Sequence, residues 1–122
     1  MTQIIIVEKT GTVKEISSKQ FDITYLSKKA GFKSSNDFEQ KAKWNVSDLT
    51  VYLFGKTNGR AGQENKYDFP PPVDNTLFFG SCLIYAKNKE QKVIDLSVQK
   101  WKIIYEKLFG GFEDIEDEDS DE

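Results

Sequence analysis

The sequence predicts an α+β fold, a mainly antiparallel sheet with two helices in the order ββαββββα, and three observations carry that expectation. Residues 3–9 (QIIIVEK) are a β-branched apolar run, the composition of a strand buried on both faces. Residues 38–46 alternate: Phe38, Gln40, Ala42, Trp44 and Val46 fall on one side, Glu39, Lys41, Lys43 and Asn45 on the other. That period of two belongs to an antiparallel strand with one wet face. Near the end of the chain, Val98, Trp101, Ile104, Tyr105 and Leu108 recur at helical spacing behind Ser97, a good N-cap.

The remaining elements follow in order. Thr10-Gly11 makes a turn, and residues 12–17 (TVKEIS) return as a partner strand with Val13 and Ile16 facing inward. Asp22 can cap a short helix over residues 22–30, on which Ile23, Leu26 and Ala30 share a face; Gly31 suits the left-handed position after it. Residues 33–37 form a loop before the alternating strand. Ser47-Asp48 then turns the chain into residues 49–54 (LTVYLF), the second half of a hairpin. A long loop leads to residues 77–86, the most hydrophobic strand, in which Gly80 marks a bulge. After a polar turn over 87–92, a short strand at 93–95 precedes the last helix, which Gly110-Gly111 ends. Both helices are expected on one face of the sheet.

At 122 residues the chain reads as a single domain with an adequate core. Its net charge of −3 averages two unlike parts. The segment 113–122 holds eight of the 20 acids and none of the 17 bases, so residues 1–112 carry about +5. The expected division is therefore an α+β domain over 1–112 and an acidic, disordered tail over 113–122. One cysteine forms no internal disulfide, which fits a reducing compartment. No apolar run approaches a membrane span, and IIIV is too short for a signal peptide.

The chemistry available is narrow. Without histidine there is no Ser-His-Asp or Cys-His site, no histidine base and no histidine metal ligand. Cys82 lies mid-strand among apolar neighbours, the setting of an inert buried thiol. Gly55, Gly59 and Gly62 form neither a Walker A nor a dinucleotide-binding pattern. Glu64, Asp68 and Asp74 could gather at a divalent ion, but their spacing matches no EF-hand; a solvated loop with local ion pairs among Arg60, Glu64, Lys66 and Asp68 is the plainer reading. No cofactor and no metal is expected.

The stretch that organises the rest is residues 57–86, where the only arginine, the only cysteine and three consecutive prolines sit together. Tyr67 and Phe69 should bury and order the loop. Pro70, Pro71 and Pro72 should set an extended polyproline II path, read either as a rigid edge for a partner's aromatic groove or as a strap closing the core. The candidate binding residues are Arg60, Lys66, Tyr67, Phe69, Pro70, Pro71 and Pro72. Lysines at 28, 29, 33, 41, 43, 87, 89, 92, 100 and 102 are spread over several elements, and a solvated lysine surface is the plainer reading than a nucleic-acid face.

Three stretches, AKWNVSDLTVYLF, GRAGQENKYDFPPPVDNTLFFG and WKIIYEKLFGGFED before an acidic block, are spread over about the last two-thirds of the chain. In these the sequence resembles a family of small proteins encoded by giant (nucleocytoplasmic large) DNA viruses of protists and algae. The resemblance implies an infected host cell, in the cytoplasm, virus factory or nucleus, with the virion as a further location, and it carries over no functional residue. The expected function is a non-enzymatic viral accessory protein that binds another viral protein through the 57–76 loop. The alternative is a nucleic-acid-associated protein whose basic body and acidic tail compete. No membrane partner is expected, and the oligomeric state is left open.

Dense like charge and one apolar residue, Ile115, leave residues 114–122 unable to recover the entropy of ordering. A chain ending at Phe112 is predicted to melt within a few degrees of the full chain by circular dichroism. A large drop would show that the acidic segment docks on the body.

Overall fold

The computed structural model describes residues 1–109 and shows the expected α+β fold. Six strands, β1 (Thr2–Val7), β2 (Val13–Ser18), β3 (Glu39–Val46), β4 (Leu49–Lys56), β5 (Phe79–Lys87) and β6 (Val93–Ile94), join two helices, α1 (Ile23–Lys29) and α2 (Val98–Leu108). All pairings are antiparallel, in the order β2-β1-β5-β4-β3. β6 pairs with the end of β5, on the edge that β1 occupies farther along. The Leu96 amide donates to the Gln3 carbonyl at 3.0 Å, joining the chain after β6 to β1.

The helices lie on opposite faces, which corrects the expectation that both share one. The reason is the strands themselves. Ile4, Leu83 and Phe54 point to a layer that holds Leu26 and Ala30 beside Phe38, while Ile5, Val7, Leu53, Cys82 and Ile84 point to another that holds Trp101 and Ile104. A sheet apolar on both sides needs cover on both. Val13 and Ile16, expected inward together, accordingly pack on different faces. Ile23 of α1, expected on the buried face, is exposed.

The caps are where the sequence places them. Asp22 accepts from the Tyr25 amide at 3.0 Å, Ser97 accepts from the Lys100 amide at 3.0 Å, and Gly31 takes φ +96° after α1. The expected end of α2 at Gly110-Gly111, and the acidic segment 113–122, lie outside the described residues.

One alternation is broken. Gln40 pairs with Phe54 but Ala42 pairs with Leu53, so Lys41 is an extra residue and β3 bulges. Phe38 therefore packs on the α1 side and Ala42 and Trp44 on the α2 side, whereas the sequence pattern puts all three together. A second irregularity falls at Gly80, as expected: β4 advances two residues from Phe54 to Lys56 while β5 goes from Leu83 to Phe79. Gly80 adopts φ +74°, and a Cβ there would stand 2.6 Å from the Phe32 ring.

Asp37 secures the bulge to the next loop. Its carboxylate lies 3.1 Å from Lys41 Nζ and accepts from the amides of Thr57 at 2.6 Å and Asn58 at 2.9 Å. Burial by itself would raise its pKa, but the two amides and the Lys41 ammonium together hold it below the ordinary carboxylate value. A depressed folded pKa contributes stability above the unfolded value of about 3.9 and loses it as pH falls through the folded value. Asp37→Asn should thus lower the urea midpoint at pH 7 and flatten its decline below about pH 4. An unchanged pH profile would show that the carboxylate does not hold the loop.

Candidate functional site

The loop of residues 57–78 is ordered by backbone pairing at its middle and aromatic packing at its end. Gln63 accepts from the Gly80 amide at 2.7 Å and Asn65 donates to the Phe78 carbonyl at 2.7 Å, so the loop runs for two rungs beside the start of β5. The Lys66 amide donates to the Lys9 carbonyl at 2.9 Å. Asn65 is buried between β1 and β5, where its side-chain amide donates to the carbonyls of Val7 at 3.1 Å and Gly80 at 2.9 Å. Its oxygen accepts from the Tyr67 amide at 2.9 Å. Both donors and one acceptor position of this side chain are used, so the loop enters the core at one fixed point.

From Asn65 onward the chain becomes a strap beneath α2. Phe69 is only 3% exposed and meets Phe78 edge-on at 5.0 Å, and Val73 is buried beside it. Burying the Phe69 ring stabilises by roughly 1.5–3 kcal/mol, which offsets part of the loop's ordering cost. Three side chains then hold the strap. Trp44 Nε1 donates to the Pro71 carbonyl at 2.7 Å, Tyr105 donates its hydroxyl proton to the Asp68 carbonyl at 2.6 Å, and Trp101 Nε1 donates to the Tyr67 oxygen at 3.0 Å. Burial pushes the Tyr67 phenol up to about 12 against the opposing hydrogen bond from Trp101, with the neighbouring Tyr105 and Asp68 adding to the rise, so the phenol stays neutral.

The prolines do not follow the extended path expected of them. Residues 71–75 turn, and the Val73 amide donates back to the Pro70 carbonyl at 3.2 Å across Pro71 and Pro72, whose peptide bond is cis. Pro70 is buried with Phe69, while Pro71, Pro72 and residues 74–77 form an exposed crest, Leu77 being 53% exposed. The strap reading thus holds for the base of the segment and leaves its tip free.

The seven candidate residues are distributed accordingly. Phe69 and Pro70 are buried, Tyr67 is half-buried, Pro71 and Pro72 cap the crest, and Arg60 and Lys66 are exposed on the incoming limb. Beside the crest, Asp68, Phe69, Asp74, Tyr105 and Phe109 line an open cleft of about 270 Å³. Glu64 does not join Asp68 and Asp74, because its carboxylate accepts from the Gly62 amide at 2.8 Å. Among the described residues there is no group of three His, Cys, Asp or Glu able to hold a metal, and the ion pairs are Lys14–Glu8, Lys41–Asp37 and Lys89–Asp48, none of them between the loop charges. Burial pushes the Cys82 thiol up to about 12, which leaves it protonated. No helix of the described residues is long and apolar enough to cross a membrane.

Sequence reasoning missed Asn65, Trp44 and the cleft wall. Asn65 sits in the polar run QENKY and carries no signal of burial. Trp101, Tyr105 and Phe109 do repeat every four residues, with ring centroids 5.9 and 4.8 Å apart, and that spacing marks an aromatic ridge along α2. Comparison of the chain with protein-family models, curated proteins and solved structures finds no match to any of them.

Asn65→Ala is predicted to leave two carbonyls without this donor and to cost about 2 kcal/mol or more. The amides of Tyr67 and Gly80 should lose protection from hydrogen exchange together. Protection unchanged at both would mean that the loop is held elsewhere.

Proposed function

We propose that this chain is a non-enzymatic accessory protein of a giant DNA virus and binds another viral protein through the crest of the 57–76 loop. One observation carries the reading: an exposed proline turn and Leu77 stand on a base that is clamped by the core. Phe69, Pro70 and Val73 are buried below it, and Trp44 and Tyr105 hold its backbone from two different elements. A tip already fixed in one conformation loses little entropy on binding, so its contacts convert efficiently into affinity. Nearby, Phe109 is 46% exposed and shares the adjoining cleft with Tyr105, giving a partner apolar surface to cover.

The chemistry of the chain supports a binding role. Histidine is absent from the sequence, and the one thiol is buried and protonated. The crest is a turn, so recognition works as a knob entering a partner's pocket rather than as an extended proline helix lying in a groove. The viral context rests on the resemblance in the last two-thirds of the chain.

The test uses exposed residues only, because Phe69→Ala would disturb the core. The wild-type chain, expressed in infected cells and captured after nuclease treatment in high salt, should bring down one viral protein in stoichiometric amount. Pro72→Asp with Leu77→Asp should lose that protein while melting within a few degrees of wild type. Retention of the partner by the double variant would disprove the assignment of the crest.

A further inference from the structure

A second surface, which includes the incoming limb of the loop rather than the crest, has a different character. The β1–β2 turn, the connection from α1 to β3 and the limb from Lys56 to Lys66 all meet at one end of the sheet. The register fixes this: Val7 stands opposite Val13 and Cys82, Lys56 opposite Phe79, and Glu39 opposite Gly55. α1 runs to the same end, where Gly31 and Phe32 line an open cleft of about 450 Å³ with Glu8, Lys9, Gln63 and Ser81.

Charge is segregated to this end. Residues 8–14, 28–41 and 56–66 contain nine cations and four acids, whereas the rest of the described chain contains eight of each. The surplus of positive charge in the body therefore belongs to these three segments. Three of their four acids are engaged: Glu8 lies 3.5 Å from Lys14, Asp37 lies 3.1 Å from Lys41, and Glu64 binds the Gly62 amide. Lys28, Lys29, Lys33, Arg60 and Lys66 are exposed. Two further ammonium groups are held in place, Lys9 by Gln63 Oε1 at 2.8 Å and Lys56 by the Ser34 carbonyl at 3.0 Å.

We infer that this end of the sheet is a docking surface for the phosphate backbone of a nucleic-acid duplex. Five strands spaced by about 4.8 Å make the end about 20 Å across, enough to meet the two phosphate strands that flank a groove about 12 Å wide. Lysines supply point charges and a single arginine supplies the one bidentate group, a set that reads backbone rather than sequence. Single strands are less well served, because base stacking needs a free aromatic face. Each of the two rings here already has a lysine on one face, Lys56 over Phe32 at 4.3 Å and Lys29 over Tyr25 at 5.9 Å. The surface is separate from the crest, so each assignment stands or falls without the other.

The test measures binding of the full chain to a labelled duplex of about 20 base pairs by fluorescence anisotropy, across a salt series. The affinity should fall with salt along a log–log slope of roughly −3 to −5, the signature of four or five neutralised phosphates. Lys28→Glu with Lys29→Glu and Arg60→Glu should weaken binding about tenfold or more at low salt. The neutral set Lys28→Gln, Lys29→Gln and Arg60→Gln should weaken it less. Lys87→Glu with Lys89→Glu and Lys92→Glu, the same charge change at the other end of the sheet, should alter it less than about twofold. Equal loss from both reversed triples would overturn the inference. So would absence of binding at low salt, or tighter binding to the single strand or to phosphatidylserine vesicles than to the duplex.

Discussion

β5 is hydrogen-bonded to β4 along one edge and to β1 and β6 along the other, and residues 82–86 are buried on both sides of the sheet. A strand in that position has no solvated face, so every other element is placed by the need to cover it. α1 with the Phe32 and Phe38 rings serves one side. α2 alone is too short for the other, and the loop before β5 completes that side with Phe69, Val73 and Phe78. The loop is thus part of the core for half its length, which explains why so polar a stretch is ordered.

The same loop carries two demands that pull against each other. Its base is apolar and fixed, whereas its tip and incoming limb lie in water. Asn65 separates the two regimes: before it the loop is polar and mostly exposed, and after it the backbone dives beneath α2. Hydrogen bonds from Trp44, Tyr105 and Trp101 then stiffen the strap without adding apolar area at the surface. Buried indole and phenol groups need partners in any case, so satisfying them with the strap costs nothing extra.

Much of the fold was legible in the chain because local signals agree with it. Asp22 and Ser97 cap their helices, Gly80 disrupts its strand, and the order of elements is the one that hydrophobic periodicity suggests. Illegible features are those set by tertiary contact. Placing Lys41 as an extra residue in β3 needs knowledge of what β4 offers opposite it, and without that the alternation puts Phe38 and Trp44 on the same face. The path of Pro70 to Val73 likewise depends on Trp44, twenty-seven residues earlier in the chain, whose indole holds the Pro71 carbonyl. The sequence also foretells that the 57–78 loop is ordered and that Phe69 buries within it. It does not reveal that seven exposed or tethered cations from three separate segments share one end of the sheet.

The bulge in β3 also governs how the molecule tolerates crowding by copies of itself. β3 is an outermost strand, eight residues long, and such an edge can recruit a second β3 into a continuous sheet. Two antiparallel β3 edges would have to match a kinked backbone against a kinked backbone, with Lys41 and Lys43 of each approaching those of the other. Lys41 is moreover committed to Asp37 and cannot swing aside freely. The edge that β3 presents is therefore both kinked and lysine-bearing, two features that disfavour pairing with the same edge of a second copy.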